Sequence, residues 1–343
     1  MKGVSGATAE RIRQTAISLG YRPPPLTKKA APRKAGTVVV IMPYITRWFF
    51  AEVLGGAEKA IRAGGLDLLL YNVGDIGARE RYFSSSIARR SVEGVLVVCL
   101  ELTSAERDAL SSLDVPVCTV GTVVRGFSSV TVDDTLSASI AVQHLVNLGH
   151  RRIGFLAGET NEPELFTHPL RRREGYRAAL DAAGLTGEGP FEACGPYTVE
   201  GGEAAAMDLL GHPVLPTAIF AECDEMAFGA LRALKRVGLR VPEDISVVGF
   251  DDHPMASNLD LTTVSQNVPA QGHCIAKHLT EAIVARREIE LVQMSVPTRL
   301  VVRGTTAVHS GKGVPLTLSK AAPPDLSGRV EIPPLARATL SSP

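Results

Sequence analysis

The sequence lacks the paired cysteines of a disulfide framework or a zinc site. Its five cysteines stand at 99, 118, 194, 223 and 274, an odd and scattered set with no CxxC. That usage fits a reducing cytosol. No apolar run reaches the ~20 residues of a membrane-spanning helix. The opening stretch MKGVSGATAERIRQ has no apolar core and so does not read as a secretory signal. Net charge is also missing: 36 Lys and Arg balance 36 Asp and Glu. A neutral chain does not coat nucleic acid along its whole length.

Enzyme motifs are absent too. After the apolar run Val38–Met42 the chain reads Pro43-Tyr44-Ile45-Thr46-Arg47-Trp48, without the glycines that cradle a pyrophosphate. Neither GxxxxGK[ST] nor a GxSxG nucleophile elbow occurs. The eight histidines are scattered, and His273 and His278 miss the i,i+4 spacing of a helical metal pair. No catalytic residue, metal or cofactor is expected.

What is present begins with a local charge asymmetry. Residues 1–34 carry Lys2, Arg11, Arg13, Arg22, Lys28, Lys29, Arg33 and Lys34 against Glu10 alone. On charge alone this is either a nucleic-acid-binding segment or a solvated basic tail. From Thr37 to about Leu291, short runs of Val, Ile and Leu alternate with helix-period segments. The runs are 37–42, 67–71, 94–100, 115–120, 152–157, 217–221 and 245–250. Apolar residues on consecutive positions imply strands covered on both faces, as in a parallel sheet. Helices are expected over 51–63, 137–148, 170–183, 200–210, 224–237 and 271–286, several stopping at glycine: Gly64-Gly65, Gly149, Gly184 and Gly238. Such alternation gives right-handed βαβ units and an α/β fold. There are too many units for one comfortable sheet, so two α/β lobes are expected, dividing first near Asp133.

In open α/β sheets ligands lie beyond the carboxyl ends of the strands. Phe49, Phe50, Asp75, Glu101, Asp133, Asp134, Cys223, Asp224, Asp251 and Asp252 fall there, and Arg171-Arg172-Arg173 open a helix. Carboxylates, a guanidinium and aromatic faces in one crevice suit a polyhydroxylated or heterocyclic ligand. The plainer reading is that these acids cap the following helices; it is strong for Asp224, whereas Asp251 at a strand end favours ligand contact.

Several segments occur in order: Phe49-Phe50-Ala51-Glu52, Leu148-Gly149-His150-Arg151-Arg152-Ile153-Gly154-Phe155, Arg172-Arg173-Glu174-Gly175-Tyr176, Pro216-Thr217-Ala218-Ile219-Phe220, and Gly238 through Asp252 (GLRVPEDISVVGFDD). Together with Leu261-Thr262-Thr263-Val264 they resemble the LacI/GalR family over roughly residues 3–308. The resemblance implies two Rossmann-like lobes of the periplasmic-binding-protein type joined by three crossover strands. It implies an N-terminal lobe over 37–132 plus 267–295, a C-terminal lobe over 133–266 plus 296–308, and a small effector between them, a sugar derivative or a purine-like molecule. It implies a homodimer or larger assembly, a cytoplasmic repressor that binds operator DNA, and no membrane. Carried over by position, Phe49 and Phe50 match an aromatic pair at the cleft mouth and Asp133 an acid at the first crossover. Arg172 matches the arginine that holds the effector, Tyr197 an aromatic that stacks on it, and Asp251 an acid that accepts from it. Asp75 joins the set by its strand-end position. Cys223-Asp224 stand where many sugar-responsive members have Asn-Asp, and a thiol replaces an amide poorly. A buried wall position for Cys223 is the plainer reading.

The front departs from the family. Residues 1–23 resemble only the third helix of its helix-turn-helix headpiece, a remnant in which Ser5 and Thr8 match phosphate-contacting positions. Residues 24–36 form a linker or degenerate hinge, with alanine where a leucine wedge is expected. Residues 309–343 are expected to be a disordered tail. The favoured explanation is a start upstream of Met1. The alternatives are an effector-binding core that acts without DNA, or a solute-binding protein of the same fold.

Overall fold

The structure, a computed structural model, describes residues 36–83, 92–159, 168–185 and 191–311, together with Glu10, Arg11, Gln14, Thr15 and Ser18, which are helical. Ser5, Thr8, the rest of the expected headpiece remnant, residues 24–35 of the linker and residues 312–343 of the tail lie outside the described residues.

The Val- and Ile-rich runs form strands. One sheet contains β1 (Thr37–Met42), β2 (Asp67–Asn72), β3 (Gly94–Val98), β4 (Val117–Val120), β5 (Ser128–Thr131) and β11 (Gln293–Ser295), in the order β11-β5-β4-β3-β1-β2. Its neighbouring strands all pair parallel. A second contains β6 (Ile153–Glu159), β7 (Glu192–Pro196), β8 (Ala218–Ala221), β9 (Ser246–Asp251), β10 (Thr262–Ser265) and β12 (Arg299–Val301), in the order β12-β10-β9-β8-β6-β7. Only β12 runs antiparallel there, against β10. Every residue of β3, β4, β8 and β9 is buried, as consecutive apolar positions require when helices cover both faces.

Those helices are α1 (Trp48–Ala63), α2 (Ile76–Arg81), α3 (Ser104–Ser111), α4 (Asp134–Asn147), α5 (His168–Ala182), α6 (Val199–Leu210), α7 (Asp224–Arg236), α8 (Pro254–Asn258) and α9 (Val268–Ala285). Where α1, α4, α5 and α7 end, Gly65, Gly149, Gly184 and Gly238 take positive φ (71°, 88°, 68° and 79°), a conformation that glycine adopts without strain.

The chain passes between the sheets three times: from β5 through α4 to β6, from β10 through α9 to β11, and from β11 to β12. The crossings are tied together. Val296 N donates to Thr131 O at 2.9 Å, and the Ser137 and Thr298 hydroxyls lie 2.8 Å apart. Gln271 Nε2 donates to the backbone and side-chain oxygens of Gln266, each at 3.0 Å. On its return α9 lies directly on α1. A Cβ on Gly56 would meet Pro269 O at 2.0 Å, and one on Gly272 would meet Val53 O at 2.0 Å, so the two backbones touch. Val53, Ala57 and Ile61 of α1 share one buried cluster with Ile275, Ala276 and Leu279 of α9. The architecture is two Rossmann-like lobes joined by three crossovers, as expected.

One segment differs from its expected character. His309, placed by periodicity at the start of a disordered tail, donates from its backbone N to Leu148 O at 2.8 Å. Ala307 O lies 3.1 Å from His150 Nε2, and Thr305 Oγ1 donates to Val247 O at 2.7 Å. Residues 305–309 therefore follow the second lobe as a bound strap.

Candidate effector cleft

The carboxyl ends of both sheets face each other, as ring contacts between the lobes show. Trp48, opening α1, lies 4.6 Å by ring centroid from His253, which follows β9. The Arg47 guanidinium sits 3.8 Å over the Tyr44 ring and 5.7 Å from that of Tyr197, at the end of β7. Phe49 and Phe50 meet edge to face at 5.4 Å; Phe50 is buried in the first lobe's core and Phe49 half-buried.

Arg172 is the hub of the second lobe's wall. It is 7% exposed, near the start of α5. Its Nε donates to Asp134 Oδ1 at 2.8 Å, its Nη1 donates to Glu222 O at 2.8 Å, and Asp251 Oδ1 lies 3.9 Å from Nη1. The guanidinium rests 3.7 Å over the Phe250 ring. Burial works against its charge, but Asp134, Asp251 and Glu222 outweigh that and raise its pKa.

Asp251 ends β9 with φ 123°, a strained value for a side chain with a Cβ. Gln266 Nε2 donates to its Oδ1 at 2.5 Å. Burial pushes its carboxyl up to about 7, while Arg172 and the Gln266 bond pull the other way. Backbone strain, burial and a shifted acid coincide at the strand end where a ligand contact is expected.

The other expected acids behave differently. Asp75 caps α2, accepting from Ala78 N at 2.7 Å, and Asp133 caps α4, accepting from Leu136 N at 2.9 Å; both are exposed. Asp134, the next residue, is the acid that reaches Arg172. Asp224 is fully buried and does not cap α7. Its oxygens accept from Thr263 Oγ1 at 2.6 Å and His253 N at 2.8 Å, joining α7, β10 and the segment before α8. Burial and Asp251 hold its pKa well above the usual carboxylate range. Cys223 is a buried wall residue whose thiol burial pushes up.

Sequence reasoning passed over Glu222, although a charged residue directly after the apolar run 217–221 is a visible signal. It is 1% exposed. Its Oε1 accepts from the Tyr197 hydroxyl at 2.7 Å and its Oε2 from Gly158 N at 2.6 Å. Burial raises its pKa, against the pull of Arg172 and these two bonds. Among the described residues there is no cluster fit to hold a metal ion and no helix long and apolar enough to cross a membrane.

This geometry has close counterparts. Residues 142–306 match a family model described as a periplasmic binding protein-like domain. The chain is 34% identical over 329 residues to the HTH-type transcriptional regulator MalR of Streptomyces coelicolor, covering 90% of this chain and 91% of that one. It is 33% identical over 268 residues to the HTH-type transcriptional repressor CytR of Escherichia coli, covering 77% of each. Among solved structures, a LacI family regulator from Enterococcus faecium with bound ribose superposes with a TM-score of 0.69 at 28% identity, over 79% of this chain and 99% of that one. The transcriptional regulator CelR in complex with cellobiose does so with 0.69 at 30% identity, over 89% and 92%. With two lobes, three crossings and relatives matched over most of their length, the chain belongs to the LacI/GalR family of effector-responsive transcriptional regulators.

Proposed function

We propose that the effector is a sugar or sugar derivative, bound between the lobes against Arg172, Asp251, Tyr197, Phe49 and Phe50. The observation that carries this reading is the anchored guanidinium of Arg172 beside Asp251 on its strained strand end. Such a pair offers donors and an acceptor to vicinal hydroxyls, and an aromatic wall suits the C–H face of a sugar ring. Relatives solved with ribose and with cellobiose support the same ligand class. In this reading the lobes are residues 37–132 plus 267–295 and 133–266 plus 296–308. The protein is a cytoplasmic homodimer that represses by binding operator DNA and performs no catalysis. Effector binding reorients the lobes about the crossovers and changes the spacing of two headpieces. A coupling of ~1–3 kcal/mol alters operator affinity several-fold to a hundred-fold.

The test is fluorescence anisotropy on promoter DNA at fixed salt, for this chain and for a version extended upstream, with and without sugar. Specific binding by the extended chain that responds to sugar supports the reading. Binding no tighter than the non-specific level of roughly 10⁻⁴–10⁻⁶ M favours an effector-binding core that works without DNA.

A further inference from the structure

Glu222 joins three parts of the second lobe. Through Oε2 it takes the Gly158 amide of β6, through Oε1 the hydroxyl of Tyr197 beyond β7, and through its backbone oxygen Arg172 of α5. The side chain takes up the Gly158 amide just beyond the last residue of β8. Gly158 is part of the same arrangement. A Cβ there would lie 1.9 Å from Tyr197 Cζ and 2.2 Å from Cε1, so the phenol end of the ring sits directly on the glycine backbone. Glycine makes the seat and Glu222 ties the ring into it.

We propose that Glu222 is a positioning residue of the effector site, fixing Tyr197 so that its ring, and not its hydroxyl, forms the wall facing the first lobe. The proposal rests on the reading of the cleft as the effector site. Because the hydroxyl already donates to Glu222, Tyr197 has no donor left to offer a ligand. Specificity at this wall then comes from stacking. An effector that presents a C–H face is accepted, and one that presents a polar group there leaves that group without a partner. The Arg47 guanidinium, 5.7 Å from the ring centroid, adds cation–π attraction that holds the ring from the other lobe.

The test uses ¹⁹F NMR of the whole chain labelled with 3-fluorotyrosine. The chain has six tyrosines, and the Tyr197 signal is the one lost in Tyr197→Phe. In Glu222→Ala the Tyr197 signal is expected to move to the position of a solvent-exposed fluorotyrosine. In Glu222→Gln, which keeps a polar partner of the same length, it stays near its original place. A Tyr197 signal unmoved in folded Glu222→Ala overturns the proposal; should that variant not fold, an unmoved signal in Glu222→Asp, whose side chain is one methylene too short to reach both the Tyr197 hydroxyl and the Gly158 amide, does so. Calorimetry with D-ribose and with cellobiose then reads specificity. Affinity for whichever sugar binds is expected to fall about tenfold or more in Glu222→Ala and to be largely rescued in Glu222→Gln, the scale of one lost bond to a charged group. Unchanged affinity alongside a displaced ring also overturns it. If the chain binds neither sugar, the sugar reading fails, and the ring signal alone decides the role of Glu222.

Discussion

Arg172 Nε lies 2.8 Å from Asp134 Oδ1, with both side chains buried, so α5 and α4 are joined by an ion pair beneath the cleft wall. The neighbouring Asp133, the acid expected in the site, faces solvent and caps α4. The difference is one step of helical phase: the N-cap residue points back along the backbone, and the first-turn residue points at the facing helix.

This pair changes what removing Arg172 does. From sequence alone, Arg172→Ala is expected to abolish effector binding and leave the fold intact. With the arginine gone, Asp134, Asp251 and Glu222 lose their buried counter-charge. The expected cost is about 3–5 kcal/mol, and Asp134→Ala approaches it, whereas Asp133→Ala loses only a cap, about 0.5–2 kcal/mol. Urea denaturation of the three variants checks this; equal losses for Asp133 and Asp134 contradict it.

His150 gives the second lobe an acid-sensitive anchor. Burial lowers its pKa to about 4, with His309 and His144 adding to the shift and the Ala307 carbonyl opposing it. The unfolded chain takes up this proton near 6.5 and the folded chain resists it. The contribution is therefore complete above pH 6.5 and is lost as pH falls towards 4, a change of about 3 kcal/mol. Asp251 works in the opposite direction, because its raised pKa lets the folded state bind a proton first. The measurement is therefore the difference in stability between the parent and His150→Gln at pH 7 and at pH 4.5. The gap should shrink at the lower pH; a constant gap contradicts the assignment.

Asp251 should make effector binding depend on pH. Its carboxyl is pushed up to about 7, so the ionised form, the one able to accept from effector hydroxyls in the proposed site, is populated above neutrality. Affinity for a bound sugar should weaken by up to about tenfold per pH unit below 7, and Asp251→Asn should bind weakly with a flat profile. A steep profile in the Asn variant would show that another group titrates.

Trp48, the only tryptophan, reports on the approach of the lobes because its ring meets His253 across the cleft. Burial lowers the pKa of His253, with Glu52 opposing it. Emission should stay constant at neutral pH and fall as the imidazole gains its proton below 6.5, an effect absent in His253→Leu. Effector binding should change the intensity in the parent. Identical pH profiles in the two proteins contradict the contact.

The long buried strands and most helices could be read from the sequence because runs such as Val38–Met42 and stripes such as Val53, Ala57 and Ile61 carry their own periodicity. Strands β5, β7, β10, β11 and β12 could not. SSVT, EACGP, TTVS, QMS and RLV are short, polar or interrupted, and they are strands because neighbouring strands offer partners. The helices α2, α3 and α8 are too short for a periodic signal, although Thr103 and Glu106 do form a capping box. In the site, strand-end position singled out Cys223, Asp224 and Asp251, and resemblance pointed to Arg172 and again to Asp251. The roles of Asp224 and Glu222 depended on which side chains their carboxylates reach, and strand-end position does not specify that.

The most direct measurement is calorimetric titration of the chain, and of Asp251→Asn and Tyr197→Ala, with D-ribose, cellobiose and a purine nucleoside. Saturable binding of a sugar by the parent, weakened at least tenfold in both variants, is the expected result. Binding that survives unchanged in both variants, or a response to the purine nucleoside alone, contradicts a sugar held against Asp251 and Tyr197.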